Sequence, residues 1–293
     1  MLASPEAFFL PAAAASGGQR FCLYHPAQSA CPRGLLLYIH PFAEEMNKAR
    51  RMAALQSRAL AQAGCAVLQI DLHGCGDSSG DFGDASWQGW VDDVLQGCHW
   101  LRERNRSQAE VPLWLWGLRA GCLLAAEAAR QIDTPCNFIF WSPTPSGKTH
   151  LQQFLRLKAA ADMLGGNAKG VTEALRQQLA AGEAVEIAGY ALSPGLAHGM
   201  ELAVLAPPAA SLPSMAQPGR VEWFEMSTRE DATLNPVAQK TFTQWEQSGF
   251  AARSHIVNGP SFWQTTEIED APALLTATLA AIASPHMTQA VAA

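Results

Sequence analysis

The chain has little charge and no surplus of the basic kind. Asp, Glu, Lys and Arg make up 16% of its 293 residues, against about 25% in typical globular proteins. Twenty basic residues face 26 acidic ones, for a formal net charge of -6. Nucleic acids and anionic membranes are held by neutralising phosphates with Lys and Arg, so both are set aside as partners. No uninterrupted apolar run approaches the ~18 residues of a membrane-spanning helix, and direct membrane insertion is not expected. The seven cysteines are odd in number and contain no CxxC pair, which argues against a disulfide framework and against a zinc site. Reduced thiols in a cytoplasm, with no metal and no cofactor, are the expectation. The apolar stretch at 7–10 lacks a basic leader and is cut by Pro11, so it reads as mature chain. Internal repeats and charge runs are also missing.

What is present is apolar: 48% of the residues are hydrophobic, which requires a large core or a contact surface and excludes disorder over most of the chain. Strand-length apolar runs at 34–40, 65–70, 112–116 and 137–141 alternate with helical patterns at 48–63, 87–104 and 122–131. That alternation is how a parallel sheet covered by helices reads. It lapses over 148–218 into helical segments and a Pro, Ala and Ser stretch at 206–214 resembling a linker. It resumes with strands at 221–226 and 251–257, helices at 236–247 and 271–282, and a frayed tail after 284. The expected organisation is an α/β core at 1–147 and 219–293, interrupted by a cap or lid at 148–218.

In an open parallel sheet the functional residues gather at the carboxyl ends of the strands. There the segment Trp116-Gly117-Leu118-Arg119-Ala120-Gly121 has the frame of a nucleophile elbow, Gly-x-Ser-x-Gly, with arginine where serine should stand. His40-Pro41-Phe42 follows an earlier strand, where an oxyanion-hole turn is expected. The loop from Asp71 to Gly80, with Gly74, Gly76, Ser78 and Gly80, has an Asp-x-x-Gly-x-Gly-x-Ser-x-Gly pattern. With these ordered motifs the whole chain resembles an α/β-hydrolase. More narrowly, the words at 40–48, 71–84 and 154–157 are similar to the hydrolase-like proteins, second type, encoded beside exosortase A systems, which in bacteria handle protein sorting together with exopolysaccharide production. The resemblance implies an α/β-hydrolase fold with a mostly parallel central sheet flanked by helices and a helical cap insertion. It also implies a hydrolase label, and as partner either a protein of the exosortase or polysaccharide system or a second copy of the chain.

The residues depart from the triad that the resemblance implies. A guanidinium stays protonated and cannot attack a carbonyl, so the serine mechanism does not run at Arg119. The triad acid would follow the strand at 221–226, where Glu230 and Asp231 stand; a plain surface acid is the alternative. The histidine should lie in the loop after the last strand, yet 258–263 contains none, and His255 falls inside the strand. Cys75, Ser78, Cys122 and Ser142 are other nucleophile candidates, each also readable as core or turn residues. His40 and His73 lie on functional loops, with packing beneath the oxyanion turn the favoured role for His40.

An elbow without serine still places one side chain above a helix N-terminus, where free N–H groups favour negative charge. The catalytic candidates are therefore Arg119, Glu230 and Asp231, and the ligand-binding candidates His40, Phe42, Arg119, Ala120 and Ser142. Either Arg119 and the N–H groups near Phe42 and Ala120 receive a carboxylate, phosphate or acyl group, or Arg119 pairs with Glu44, Glu45, Asp77 or Asp231 and plugs the pocket. Three classes stand open: a degenerate hydrolase binding a small anionic or acylated ligand, an active hydrolase or acyltransferase using other residues, and a structural partner in a complex.

Overall fold

The computed structural model describes residues 4–12, 17–106, 111–164, 170–208, 219–229 and 231–284, with side chains for all of these but 162–164. Strands β1 (Glu6–Pro11), β2 (Gln19–His25), β3 (Leu35–Ile39), β4 (Ala66–Ile70), β5 (Leu113–Leu118) and β6 (Cys136–Trp141) come first along the chain. Helices α1 (Glu44–Gln62), α2 (Trp87–Arg104) and α3 (Gly121–Ala129) connect them. Next come α4 (Gly147–Leu164), α5 (Val171–Ala180), the hairpin β7 (Val185–Ile187) with β8 (Tyr190–Leu192), and α6 (Pro194–Leu202). The chain closes with β9 (Arg220–Ser227), α7 (Pro236–Gln247), β10 (Ala251–Asn258) and α8 (Pro272–Ala283).

Eight strands form one sheet in the order β1-β2-β4-β3-β5-β6-β9-β10. From β4 to β10 every pairing is parallel, while β1 and β2 join antiparallel at one edge. The central strands are apolar on both faces because both faces are covered. Leu35, Leu37 and Ile39 of β3 point into one core with α2 and α3, and Leu36 and Tyr38 into the other, with α1 and α8. In β5 the same alternation sends Leu113 and Leu115 one way and Trp114, Trp116 and Leu118 the other. This is the expected α/β arrangement of a mostly parallel sheet between helices.

The sequence reading did not resolve β1, β2 or the β7–β8 hairpin. β1 is a half-buried edge strand carrying Pro11, and its short alternation of exposed and partly covered residues lacks the continuous apolar signal of the centre. Between β6 and β9 the segment α4 to α6 packs on the core through tight glycine contacts. A Cβ at Gly199 of α6 would lie 2.1 Å from the Cβ of Trp87 on α2, so only glycine allows that approach. The expected linker at 206–214 lies outside the described residues from 209 onward, as does the expected tail after 284. Among the described residues no helix is long and apolar enough to cross a membrane, and no group of His, Cys, Asp and Glu has the arrangement to hold a metal ion.

One buried ion pair ties β2 to α2 and to the loop after β4. Arg20 Nε donates to Asp93 Oδ1 at 2.7 Å with both side chains fully buried, and Asp93 Oδ2 accepts the His73 N–H at 2.8 Å. Trp90 Nε1 donates to the His73 carbonyl at 2.9 Å, fixing the same loop from a second side. Removing one partner of such a pair leaves an uncompensated buried charge. Asp93→Ala is therefore expected to destabilise the protein by about 3–5 kcal/mol, read from urea unfolding, whereas Arg50→Ala, which breaks a partly exposed pair with Asp71, should cost no more than about 1 kcal/mol.

Candidate active site at the strand ends

The turn between β5 and α3 keeps the geometry of an elbow. Arg119 has φ 55, in the left-handed region where a side chain costs on the order of 1–3 kcal/mol. The strained backbone of an elbow is thus present with arginine at its tip. Its neighbours enforce it: a Cβ at Gly117 would stand 2.6 Å from the Cys122 nitrogen, and one at Gly121 2.3 Å from the Ile39 carbonyl oxygen. Both clashes are with backbone, which cannot swing aside. The Arg119 N–H donates to Trp141 O at 3.0 Å, and its carbonyl accepts from Cys122 N at 3.1 Å. Among the described residues neither Ala120 N–H nor Phe42 N–H has a backbone acceptor.

The Arg119 side chain is held on three sides. Its Nε donates to Glu45 Oε1 at 3.3 Å and its Nη1 to the Ser142 carbonyl at 3.4 Å. The guanidinium lies over the Trp263 ring, 5.5 Å from its centroid, a geometry in which the ring quadrupole attracts the cation. Trp263 stands in the loop after β10, whose residues 258–263 contain no histidine. Of the acids that could have paired with Arg119, the structure selects Glu45, on the first turn of α1.

A cavity of about 280 Å³ opens beside this pair. Phe42, Phe154, Leu157 and Trp263 form its apolar walls, and Glu44, Glu45, Lys48, Arg119, His150, Gln153 and Gln264 its polar ones. Phe42 meets His150 and Phe154 edge to face, with centroids 5.8 and 5.0 Å apart. Four lining residues carry a buried polar atom with no hydrogen-bond partner among the described residues: Glu44 Oε2, Glu45 Oε2, His150 Nδ1 and Trp263 Nε1. Burial pushes the Glu45 carboxyl up to about 7 in spite of the Arg119 charge and hydrogen bond, and it raises Glu44 as well. His150 is driven down to about 3 by burial and by the Arg119 charge, so its imidazole is neutral. Behind Arg119, burial raises Glu225 against the opposing Trp223 hydrogen bond and the Arg119 charge.

The expected site residues divide into those at the cavity and those behind it. Phe42 and Arg119 line it. His40 does not: its Nδ1 lies 2.8 Å from Pro41 O within its own turn, and its Nε2 accepts the Leu72 N–H at 3.3 Å, joining that turn to the loop after β4. Ser142 Oγ accepts from Met226 N at 3.3 Å, and its carbonyl steadies Arg119. Ala120 is buried at the start of α3. Asp231 is exposed and paired with Arg229 at 3.3 Å, a surface salt bridge rather than a partner for Arg119, because the loop after β9 turns it to solvent. Glu230 lies outside the described residues. His255 Nε2 is 2.9 Å from Glu222 Oε2 and its ring stacks on Phe224, within β10 and engaged there.

The other nucleophile candidates are occupied too. Ser78 Oγ donates to Asp71 O and accepts from Phe21 N. The Cys75 and Cys122 thiols are buried and raised above their ordinary range by that burial. The sequence reading missed His150, Trp263 and Glu225 as site residues. One signal was available: His150, Phe154 and Leu157 fall at i, i+4 and i+7, one stripe along α4.

A parallel sheet with an elbow at the exit of β5, a turn after β3 facing it and a segment laid over both defines an α/β-hydrolase. Residues 30–190 match the family described as serine aminopeptidase, S33, and the chain belongs to that family. Among solved structures, Est1E from Butyrivibrio proteoclasticus with ferulic acid bound superposes with a TM-score of 0.62 at 15% identity, covering 94% of this chain and 96% of that one. A soluble variant of monoglyceride lipase from Saccharomyces cerevisiae, in complex with a substrate analogue, gives 0.59 at 13% identity, with 96% of each chain covered. A thermostable carboxyl esterase from Bacillus coagulans, in complex with glycerol, gives 0.58 at 12% identity, with 88% and 91% covered. At these identities what is shared is the fold. No curated protein matches the chain.

The raised Glu45 carboxyl makes stability depend on pH. Its folded value of about 7 exceeds the ordinary 4.5, so the native state binds the proton more tightly than the unfolded chain. The resulting stabilisation is complete below about 4.5 and is lost as pH rises to about 7, by at most about 3 kcal/mol. Relative to Glu45→Gln, which carries no such proton, the wild type should lose stability across that window, as read from urea unfolding at pH 5 and pH 8.

Proposed function

We propose that this chain is a catalytically degenerate α/β-hydrolase that holds a small anionic or acylated ligand at the former active site. The observation that carries this reading is Arg119 itself: the elbow still presents one side chain to the cavity, and that side chain is a cation seated between Glu45 and Trp263. None of the residues lining the cavity is a serine, cysteine or threonine. A fixed guanidinium beside N–H groups of a helix start favours a carboxylate or phosphate, and the walls of Phe42, Phe154 and Leu157 suit an acyl chain.

The narrower resemblance to the proteins encoded beside exosortase A systems supports a role in protein sorting or exopolysaccharide production. Two of the words that carry it, 40–48 and 154–157, supply Phe42, Glu44, Glu45, Lys48, Phe154 and Leu157 to the cavity. The partner in that reading is a protein of the same system or a second copy of this chain. The odd, scattered cysteines support a reducing, cytoplasmic setting.

A second reading, hydrolysis of an ester or thioester by an activated water, is favoured by one observation. Glu45 has its carboxyl near 7, where a general base works best at neutral pH. Turnover of short- and long-chain aryl esters and acyl thioesters by the wild type, Arg119→Ala and Arg119→Ser decides between them. The expected result is no rate above buffer for any of the three, since a serine at 119 still has no histidine to take its proton. Wild-type turnover that disappears in Arg119→Ala would establish the enzyme reading in its place.

A further inference from the structure

The pair between Arg119 and Glu45 is incomplete in a way that points to what enters the cavity. A guanidinium offers five N–H donors. Glu45 takes the one on Nε and the Ser142 carbonyl takes one on Nη1, while Nη2 has no acceptor among the described residues. On the other side Glu45 uses only Oε1, and its buried Oε2 has no donor among the described residues. Each member of the pair therefore keeps an unused polar edge at the same cavity, and the remaining walls are the apolar Phe42, Phe154, Leu157 and Trp263.

A carboxylate with an apolar tail fits that combination, because its two oxygens match the free edge of the guanidinium. Adding it alone would set two carboxylates on one buried cation, with Glu45 Oε2 still unsatisfied. A proton on Glu45 removes both difficulties, since it neutralises the second charge and gives the unpartnered Oε2 a hydrogen to donate. We propose that this cavity takes up an acyl carboxylate together with one proton from solvent, the carboxylate docking on Arg119 and the proton going to Glu45. The proposal rests on the ligand-binding reading above and names the ligand's head group and its coupling to pH.

The charged and titratable groups around Glu45 agree with this assignment. Glu44 on the same helix turn has its own Oε2 buried without a partner and repels a second negative charge. Lys48, one turn along α1 at the cavity wall, gives one of its three donors to Thr266 O at 2.6 Å, and its charge favours an incoming anion. His150 from α4 is neutral and supplies no cation to offset the ligand. Glu225 lies behind Arg119 and accepts the Trp223 indole N–H at 3.0 Å. Glu45, already near 7, is the group on which an arriving anion places a proton.

Binding of sodium octanoate, measured by calorimetry from pH 6 to pH 9, tests this, with octanamide as the uncharged control and a pH-stat in unbuffered sodium chloride to count protons. The expected result is an affinity nearly constant below pH 7 that then falls about tenfold per pH unit, with close to one proton taken up per octanoate at pH 8. Glu45→Gln should remove both the slope and the proton uptake, and bind octanoate about tenfold more tightly than the wild type at pH 8. Arg119→Gly, which suits the positive φ, should remain folded and lose octanoate at least tenfold. Octanoate binding without proton uptake, or an unchanged slope in Glu45→Gln, would overturn the coupling and leave the ligand site standing. Binding of octanamide but not octanoate would overturn the carboxylate head group alone. Failure of both, with the methyl ester of octanoate also silent, would overturn the ligand-binding reading together with this one.

Discussion

The rest of the site depends on the contact between backbones where β5 turns into α3. Gly121 lies against the Ile39 carbonyl and Gly117 against the Cys122 nitrogen, closer than any side chain permits. That closeness bends the chain sharply enough to force φ 55 on residue 119 and to lift its side chain out of the sheet. The turn survives with an arginine because its cause lies in the glycines and in the strand beside them, not in the residue displayed. The cost of a large side chain in that conformation is offset by what the arginine meets: a carboxylate, a carbonyl and an aromatic face.

Two buried glutamates on this scaffold show how far the number of donors decides a carboxyl group's state. Glu222 in β9 is fully buried, which by itself pushes its carboxyl up, yet His255, Arg253 and Arg220 together outweigh that and hold it below its ordinary value. Its two oxygens receive Arg220 Nη2 at 2.7 Å, Arg253 Nη2 at 2.6 Å and His255 Nε2 at 2.9 Å. Glu45, also buried, has a single side-chain donor at 3.3 Å, and burial wins. The first arrangement is finished and structural, joining β9, β10 and the end of α8. The second is unfinished, and it is the one that faces a cavity.

The central strands were legible because a strand covered on both faces is apolar without interruption, as 35–39 and 66–70 are, and the elbow because two glycines at fixed spacing around residue 119 have a steric meaning. The antiparallel edge was not, since β1 covers only part of one face and β2 places an arginine and a histidine among its buried positions, which breaks the apolar signal. The partner of Arg119 was narrowed to four acids and no further. Glu44 and Glu45 are adjacent in sequence but point about 100° apart around a helix, and only the packing of α1 decides which one turns inward. His150 and Trp263 reach Arg119 from segments more than thirty and one hundred positions away in sequence, through the docking of α4 and of the loop after β10. Nothing local to either residue announces that meeting.

The stacking of Arg119 on Trp263 also makes the two positions interdependent. A serine placed at 119 would find an indole where a proton acceptor is needed. A histidine placed at 263 would sit beside a permanent cation that disfavours its protonation. Triad chemistry on this scaffold would need both changes together, and either one alone would forfeit the present contact.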